Sequence, residues 1–329
     1  MENLPVTPRE NWIRMLRHQK TYWMPMFGDT QMILPNIIPD VVARAIIAEA
    51  QTVPKEQYGG KDMYGINWVY VPQVMGSMED PNEPHLFEDV SEWREKVKFP
   101  NMDEWDWEGA SKRNFESYLN PDKFRMGWIY TGMFERLISF MGFENAAMAL
   151  IDEDSEEDLH ALLDAIADTE IELLRRYKKY FDIDCIYFHD DWGSQRSPFF
   201  SLNVVRRTIV PHLKRVVDFC HENGMFFELH SCGMIEDLVP AMIEAGVDCW
   251  AGQVMNDRIK LFNLYADKIA IGYTISARDL EAGKKEIKEV MDKIRPTYGE
   301  KHLYLFDLFS PPEFIDYVRE ISADIHAGD

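Results

Sequence analysis

Short apolar runs alternate with amphipathic segments along the second half of the chain. The runs cover residues 184–189, 225–230, 247–251, 268–273 and 302–307. Between them, apolar positions recur with helical spacing, and Gly224 and Gly246 follow two of the predicted helices. Regular alternation of strand and helix is typical of a parallel sheet. The consecutive apolar positions within each run predict strands that are covered on both faces.

The first half of the chain continues this pattern less regularly. It contains candidate strands at residues 22–27 and 124–130, and candidate helices at residues 38–51, 134–141 and 156–180. Residues 59–118 are irregular and rich in aromatics, and residues 66–71 are either an eighth strand or part of a hairpin. We therefore predict one α/β domain over residues 1–329. Its predicted fold is a (β/α)8 TIM barrel, with residues 59–118 as an N-terminal elaboration over the barrel mouth.

The chain is strongly acidic. Its 35 basic and 57 acidic residues give a net charge of −22, which repels phosphate backbones and anionic membrane surfaces. Nucleic acid and membranes are therefore not expected partners. No apolar run is long enough for a signal peptide or a membrane span, which predicts a cytoplasmic protein. Four cysteines in 329 residues are too few for a disulfide scaffold and predict reduced thiols.

The strand that ends in the sequence FFELHSCG carries the clearest candidate metal ligands. His230 and Cys232 are two residues apart, so their side chains leave an extended strand on the same face. An imidazole and a thiolate so placed can bind one zinc ion. The alternative is a buried cysteine beside a histidine that is satisfied by hydrogen bonds.

Other polar residues follow the ends of the neighbouring predicted strands. In a parallel barrel these ends meet at one mouth, where catalytic residues concentrate. Asp190 and Asp191 are candidate catalytic residues, although either could instead cap the next turn or helix. Gln253 and Tyr273 are candidate substrate-binding residues or ordinary rim residues, and Asp307 ends the last predicted strand.

The segments HDDWGSQRSPFFS and FFELHSCGMIEDLVPAMIEAGVD resemble the uroporphyrinogen decarboxylase superfamily, especially its zinc-dependent, corrinoid-linked methyltransferase branch. The resemblance covers roughly residues 120–329. It implies a (β/α)8 barrel whose mouth binds zinc and meets a corrinoid protein that carries the methyl group. It also makes Trp192 and Gln195, within the WGSQ motif, candidate substrate-binding residues.

Two departures from the superfamily bear on the reaction. The segment YWMPMFGDTQM lacks the arginine with which the decarboxylases bind tetrapyrrole carboxylates, so a decarboxylase-like lyase is the less favoured alternative. Methylcobamide:thiol methyltransferases have a further zinc-binding cysteine after the last strand, whereas no cysteine follows Cys249 here. A catalytic zinc site needs at least three protein ligands. Glu228 and Asp307 are the leading candidates for the third, ahead of Cys249.

An oxygen-containing zinc site is better suited to polarising an ether oxygen than to binding a thiol. The resemblance then implies an O-demethylase methyltransferase, which moves a methyl group from a small donor, an aryl methyl ether, to the cobalt of a corrinoid protein. Asp190 or Asp191 would donate a proton to the leaving oxygen. Aromatic residues of the inserted region could stack on the donor: Trp68, Tyr70, Trp105 and Trp107. Acceptor-side thiol methylation and a binding protein without metal remain alternatives.

Overall fold

The computed structural model describes residues 4–73, 76–306 and 311–323. In chain order, its strands are β1 (Thr30–Ile33), β2 (Gly59–Lys61), β3 (Asn67–Val71), β4 (Gly76–Glu79), β5 (Phe124–Ile129), β6 (Cys185–His189), β7 (Phe226–Ser231), β8 (Cys249–Gly252), β9 (Ala270–Tyr273) and β10 (Leu303–Leu305).

The α-helices of the same residues are α1 (Pro8–Leu16), α2 (Pro39–Ala43), α3 (Trp93–Lys96), α4 (Trp107–Ser117), α5 (Met133–Ile151), α6 (Glu156–Phe181), α7 (Leu202–Thr208), α8 (Val210–Glu222), α9 (Val239–Ala245), α10 (Arg258–Tyr265), α11 (Leu280–Ile294) and α12 (Pro312–Ala323). None of these helices is both long enough and apolar enough to cross a membrane.

The main sheet is parallel and curled. Within the described residues it has seven strands in the order β1-β5-β6-β7-β8-β9-β10. From β5 onward, strands that are neighbours in the sheet are therefore also consecutive along the chain. Strands β6 and β7 pair along their whole length, with His189 opposite His230 at the carboxyl end. All residues of β5 and β6 are buried, as the continuous apolar runs predict.

The closed eight-stranded barrel that the sequence predicts is not shown by the described residues. The predicted opening strand at residues 22–27 is absent, and Met26 forms only an isolated parallel bridge with Leu305. The amide of Leu305 donates to the carbonyl of Pro25 at 2.9 Å. Pro25 has no N–H with which to extend this pairing, and Phe27–Asp29 then forms a short 3-10 helix.

The helices cover the sheet with amphipathic faces. The 26-residue α6 buries leucines at helical spacing, including Leu159, Leu162, Leu163, Leu173 and Leu174, while its other face is charged. Helix α5 is longer than predicted because it continues past Gly142, where a φ of 76° kinks the chain. A glycine tolerates this left-handed conformation at little cost.

Strands β2, β3 and β4 form a separate antiparallel sheet, so residues 66–71 belong to a hairpin rather than to an eighth barrel strand. Asp62 follows β2 and accepts a hydrogen bond from Arg136 of α5 at 2.7 Å. This contact attaches the small sheet to the end of the main sheet where α5 begins. The inserted region is also less irregular than predicted, because it contains the helices α3 and α4.

Candidate metal centre and the adjoining cavity

Strand β6 ends in a histidine, and an aspartate follows two residues later. His189 is buried, and its Nε2 lies 3.3 Å from Oδ1 of Asp191. The His189 ring stacks parallel to Tyr130, with 4.6 Å between ring centroids. The ring of Tyr130 therefore restricts the imidazole to one plane, with Nε2 directed toward Asp191.

Strand β7 ends in the same way with His230 and Cys232. Nε2 of His230 lies 3.7 Å from Sγ of Cys232, so the two side chains predicted to share a strand face are in contact. The amide of Cys232 donates to Oδ1 of Asp191 at 2.6 Å, which connects the ends of β6 and β7. The imidazoles of His189 and His230 stack with 5.4 Å between ring centroids.

These four residues, His189, Asp191, His230 and Cys232, form what we call the ligand group. One ligand atom from each lies within 4.8 Å of those of the other three. Two imidazoles, a thiolate and a carboxylate are donors that zinc binds, usually with tetrahedral geometry. Nδ1 of each histidine is buried without a hydrogen bond to another protein atom. The residues therefore fit a zinc ion.

The electrostatics of the group favour neutral histidines. Burial, together with the positive charge of Arg44, lowers the pKa of His189 to about 3. Burial and the neighbouring His189 lower the pKa of His230 to about 3 as well. Neutral imidazole is the form that binds a metal. Burial and the carboxylate of Asp191 raise the pKa of Cys232, so its thiolate needs a nearby cation.

Gln253, after β8, positions Cys232 rather than facing open space. Its Nε2 donates to Sγ of Cys232 at 3.2 Å, and its Oε1 accepts from the amide of Gly233 at 2.9 Å. Gly233 has a φ of +96°, and a Cβ there would lie 2.4 Å from the backbone of Gly193. A glycine is therefore required where the chain after β7 packs on the chain after β6.

The adjacent aspartates Asp190 and Asp191 point in different directions. Asp190 is fully buried and accepts hydrogen bonds from the amide of Glu135 at 2.9 Å and from Nε1 of Trp192 at 2.7 Å. Burial raises the pKa of Asp190 to about 7. Asp190 thus holds the first turn of α5, while Asp191 belongs to the ligand group. Trp192 is itself fully buried.

Two of the candidate third ligands, Glu228 and Cys249, are not part of this group. Glu228 is fully buried in β7, and its Oε1 accepts a hydrogen bond from Tyr304 at 2.7 Å. Burial raises the pKa of Glu228 to about 8. Cys249 is buried in β8, directly opposite Glu228. Asp307 lies outside the described residues.

Two candidate substrate-binding residues also lie away from the ligand group. Tyr273, at the end of β9, donates to Oε1 of Glu286 at 2.9 Å, and Arg258 covers its ring at 4.6 Å from the centroid. Gln195 is exposed in the loop that Gly193 and Pro198 close through an isolated bridge. Their substrate-binding roles remain predictions.

His189 was not predicted as a ligand, although the sequence contained the necessary signal. The pair His189 and Asp191 has the same two-residue spacing as His230 and Cys232, and both pairs follow apolar strands. The prediction from spacing covered β7 alone, and its third-ligand candidates were Glu228 on the same strand and Asp307 and Cys249 elsewhere. Parallel pairing of β6 with β7 brings the two pairs together.

A cavity of about 780 Å³ adjoins the ligand group. It lies between the small antiparallel sheet and α5, and Asp191 lines it. Other lining residues are Arg44, Trp68, Glu79, Glu135, Ile138 and Phe143. Of the aromatics predicted to stack on a donor, Trp68 lines the cavity. Tyr70 instead packs on Tyr58, and Trp107 packs on Trp105 and Tyr180.

No model of a protein family matches the chain, and no curated protein matches it either. Among solved structures it is similar to a methyltransferase from Methanosarcina mazei, with a TM-score of 0.64 and 14% identity over 97% of this chain and 98% of that chain. A sugar phosphate isomerase/epimerase from Parabacteroides distasonis matches 67% of this chain and 80% of its own at 9% identity, with a TM-score of only 0.36. The first likeness shows a shared fold along nearly the whole of both chains.

Proposed function

We propose that this protein is a zinc-dependent methyltransferase that moves a methyl group from a small donor to the cobalt of a corrinoid bound to a separate protein. The observation that carries the proposal is the ligand group, whose ligand atoms lie within 4.8 Å of one another at the carboxyl ends of β6 and β7. Active sites of α/β barrels lie at this end of the strands. The Methanosarcina mazei relative is a methyltransferase by name and has the same fold, which supports the proposed class of reaction.

The four residues of the ligand group have different roles in this proposal. His189, His230 and Cys232 would hold the metal, with Gln253 orienting the sulfur. The side chain of Asp191 is 25% exposed and lines the cavity, so it is the ligand nearest to an incoming donor. Zinc would supply a Lewis acid that stabilises negative charge on the oxygen that loses its methyl group.

The shape of the site suits a donor of modest size. A cavity of about 780 Å³ is within the range of small-molecule sites and can hold a single substituted aromatic ring beside Asp191. Asp190 would act indirectly, since both of its carboxylate oxygens accept hydrogen bonds from the protein. We therefore assign the ligand position that faces the donor to Asp191, and structural support of the turn to Asp190.

The test combines metal analysis with a spectroscopic assay of methyl transfer. Purified protein should contain about one zinc per chain. With reduced corrinoid and a panel of methoxylated aromatics, the spectrum of the methylated corrinoid should appear, and it should not appear after zinc is removed by a chelator.

The reverse mixture, methylated corrinoid with a thiol, separates the alternatives. Loss of the methylcorrinoid spectrum with a thiol alone would assign the protein to the methylcobamide:thiol methyltransferases. Binding and decarboxylation of a tetrapyrrole without zinc would assign it to the decarboxylase-like lyases. No reaction in either direction, with zinc bound, would contradict the proposal.

A further inference from the structure

The cavity beside the ligand group has an unusual arrangement of charge. Across strands β3 and β4, Trp68 is directly opposite Glu79, so both side chains leave the small sheet on the same face. Both also line the cavity. Val69 and Met78 form the next cross-strand pair on the other face, and they are 42% and 56% exposed. Because side chains alternate between the two faces of the hairpin, the carboxylate of Glu79 is directed toward the cavity.

A second carboxylate comes from α5. Glu135 lies in the first turn of this helix, which begins at Met133, and its side chain is only 16% exposed. Burial raises the pKa of Glu79 and of Glu135 to about 7, despite the cation of Arg44. Both carboxylates are therefore less well solvated than they would be in water, and the oxygens of each can accept a hydrogen bond.

Among the described residues that line the cavity, Arg44 is the one buried cation, and it is already engaged. The guanidinium of Arg44 lies 4.3 Å from the ring centroid of Trp68 and 4.7 Å from that of Tyr130, so aromatic rings contact it twice. Its NH1 lies 3.6 Å from Oε2 of Glu135. Arg44 thus offsets about one of the two glutamates, and the inner cavity keeps an excess of negative charge.

We propose that this cavity selects methyl donors that carry no carboxylate, and that Glu79 and Glu135 impose the selection by accepting a hydrogen bond from a phenolic hydroxyl or an ammonium group of the donor. The inference rests on the proposed function, because it names the class of methyl donor for that site. A carboxylate on the donor would be desolvated beside two others, which is unfavourable in a partly buried site.

Three ligands with matched rings test the selection: 2-methoxyphenol, 2-methoxybenzoate and protonated 2-methoxybenzylamine. Binding to the zinc-loaded protein is measured by titration calorimetry at about pH 8.5, where both glutamates are ionised. The neutral and cationic ligands should each bind at least about tenfold more tightly than the anion. Because binding is measured without a corrinoid, the result does not depend on methyl transfer.

Variants identify the residues responsible. In the Glu79→Gln/Glu135→Gln double variant, the anion should bind within about threefold of the neutral ligand, because the repelling charges are removed while the cavity keeps its shape. Each single variant should give an intermediate value. Glu88→Gln is the control, since Glu88 is exposed and does not line the cavity. It should leave the order of binding unchanged.

The outcomes separate this inference from the proposed function. If 2-methoxybenzoate binds as tightly as the phenol, or more tightly, then Arg44 dominates and the inference is wrong, even if methyl transfer occurs. If none of the three ligands binds, the cavity is not a site for this class of donor and the inference also fails. If binding follows the expected order but no methyl transfer is detected with any donor, the charge selection stands and the proposed reaction fails.

Discussion

Two polar clusters in this molecule have opposite characters. Around Arg136, which we call the arginine cluster, charges are paired within the protein: NH1 of Arg136 donates to Asp62 at 2.7 Å, and NH2 donates to Asp40. In the ligand group, two neutral imidazoles, a thiol and a carboxylate lie together with no cation among them. Of the two, the arginine cluster pairs its carboxylates with a cation, and the ligand group does not.

This difference distinguishes polar groups that stabilise the fold from polar groups that can bind a ligand. Asp62 also accepts hydrogen bonds from the amides of Tyr64 and Ile66 and from Nε1 of Trp68, so the arginine cluster organises the connection between β2 and β3. The ligand group also connects two strands, through the hydrogen bond from the amide of Cys232 to Asp191, but it pairs that carboxylate with no cation of its own. Bringing two imidazoles, a thiol and a carboxylate together without a cation among them is costly unless another species binds there, which is why the ligand group points to a metal.

The largest effect on stability should come from the arginine cluster. Arg136→Met leaves the carboxylates of Asp40 and Asp62 buried without a cation, and should lower the free energy of unfolding by about 3–5 kcal/mol. Denaturant unfolding measures this change. Arg94→Met is the matched control because Arg94 pairs with Asp158 at the surface, and its loss should cost less than about 1 kcal/mol. Equal costs for the two variants would contradict the distinction.

The largest effect on metal binding should come from the ligand group. His189→Ala and Cys232→Ser should each reduce zinc affinity at least about 100-fold, because each removes one direct ligand from a site that needs three or more. Competition with a chromophoric chelator measures the affinity. His221→Ala is the control, since His221 is 40% exposed and pairs with Asp248.

Glu228 provides a second test of which residues bind zinc. Because it is hydrogen-bonded to Tyr304 and is not part of the ligand group, Glu228→Gln should retain zinc. Loss of zinc in Glu228→Gln with retention in His189→Ala would restore the set of ligands that the sequence alone suggested. Full zinc occupancy in both His189→Ala and Cys232→Ser would reject the site.

The neighbouring aspartates should separate stability from chemistry. Asp190→Asn places an amide where Nε1 of Trp192 needs an acceptor, and should lower the free energy of unfolding by about 1–3 kcal/mol while zinc is retained. Asp191→Asn should leave stability nearly unchanged and should reduce zinc affinity and methyl transfer roughly tenfold. Thermal unfolding, metal competition and the corrinoid assay distinguish the two. The reverse pattern would exchange their roles.

A further effect should be a change in pH dependence beside the arginine cluster. Glu170 is fully buried, neither of its carboxylate oxygens is hydrogen-bonded, and burial raises its pKa from 4.5 to about 8. Between these values the native state keeps a proton that the unfolded state has lost, so stability falls as the pH rises. Glu170→Gln should remove this slope, which we expect to be worth roughly 3–4 kcal/mol between about pH 5 and pH 8. Parallel pH profiles of the two proteins would contradict this.

Much of the fold could be predicted because continuous apolar runs report burial directly. The runs ending at residues 189, 230, 251, 273 and 307 correspond to β6 through β10 with small changes in their ends. The opening strand could not be predicted reliably, because residues 23–27 of the apolar run are buried without sheet pairing beyond the bridge at Met26. Burial alone does not distinguish a strand from a packed irregular segment.

The sequence by itself determined the strand-helix alternation, the shared face of His230 and Cys232, and the acidic character of the chain, because each depends on local periodicity or on composition. Only the tertiary structure decided that His189 and Asp191 complete the ligand group, since that depends on the pairing of β6 with β7. It also decided that Glu228 turns to Tyr304 and that the hairpin of β3 and β4 directs Glu79 toward the cavity. These choices require contacts between residues distant along the chain, and local spacing does not encode which of several suitable side chains will meet.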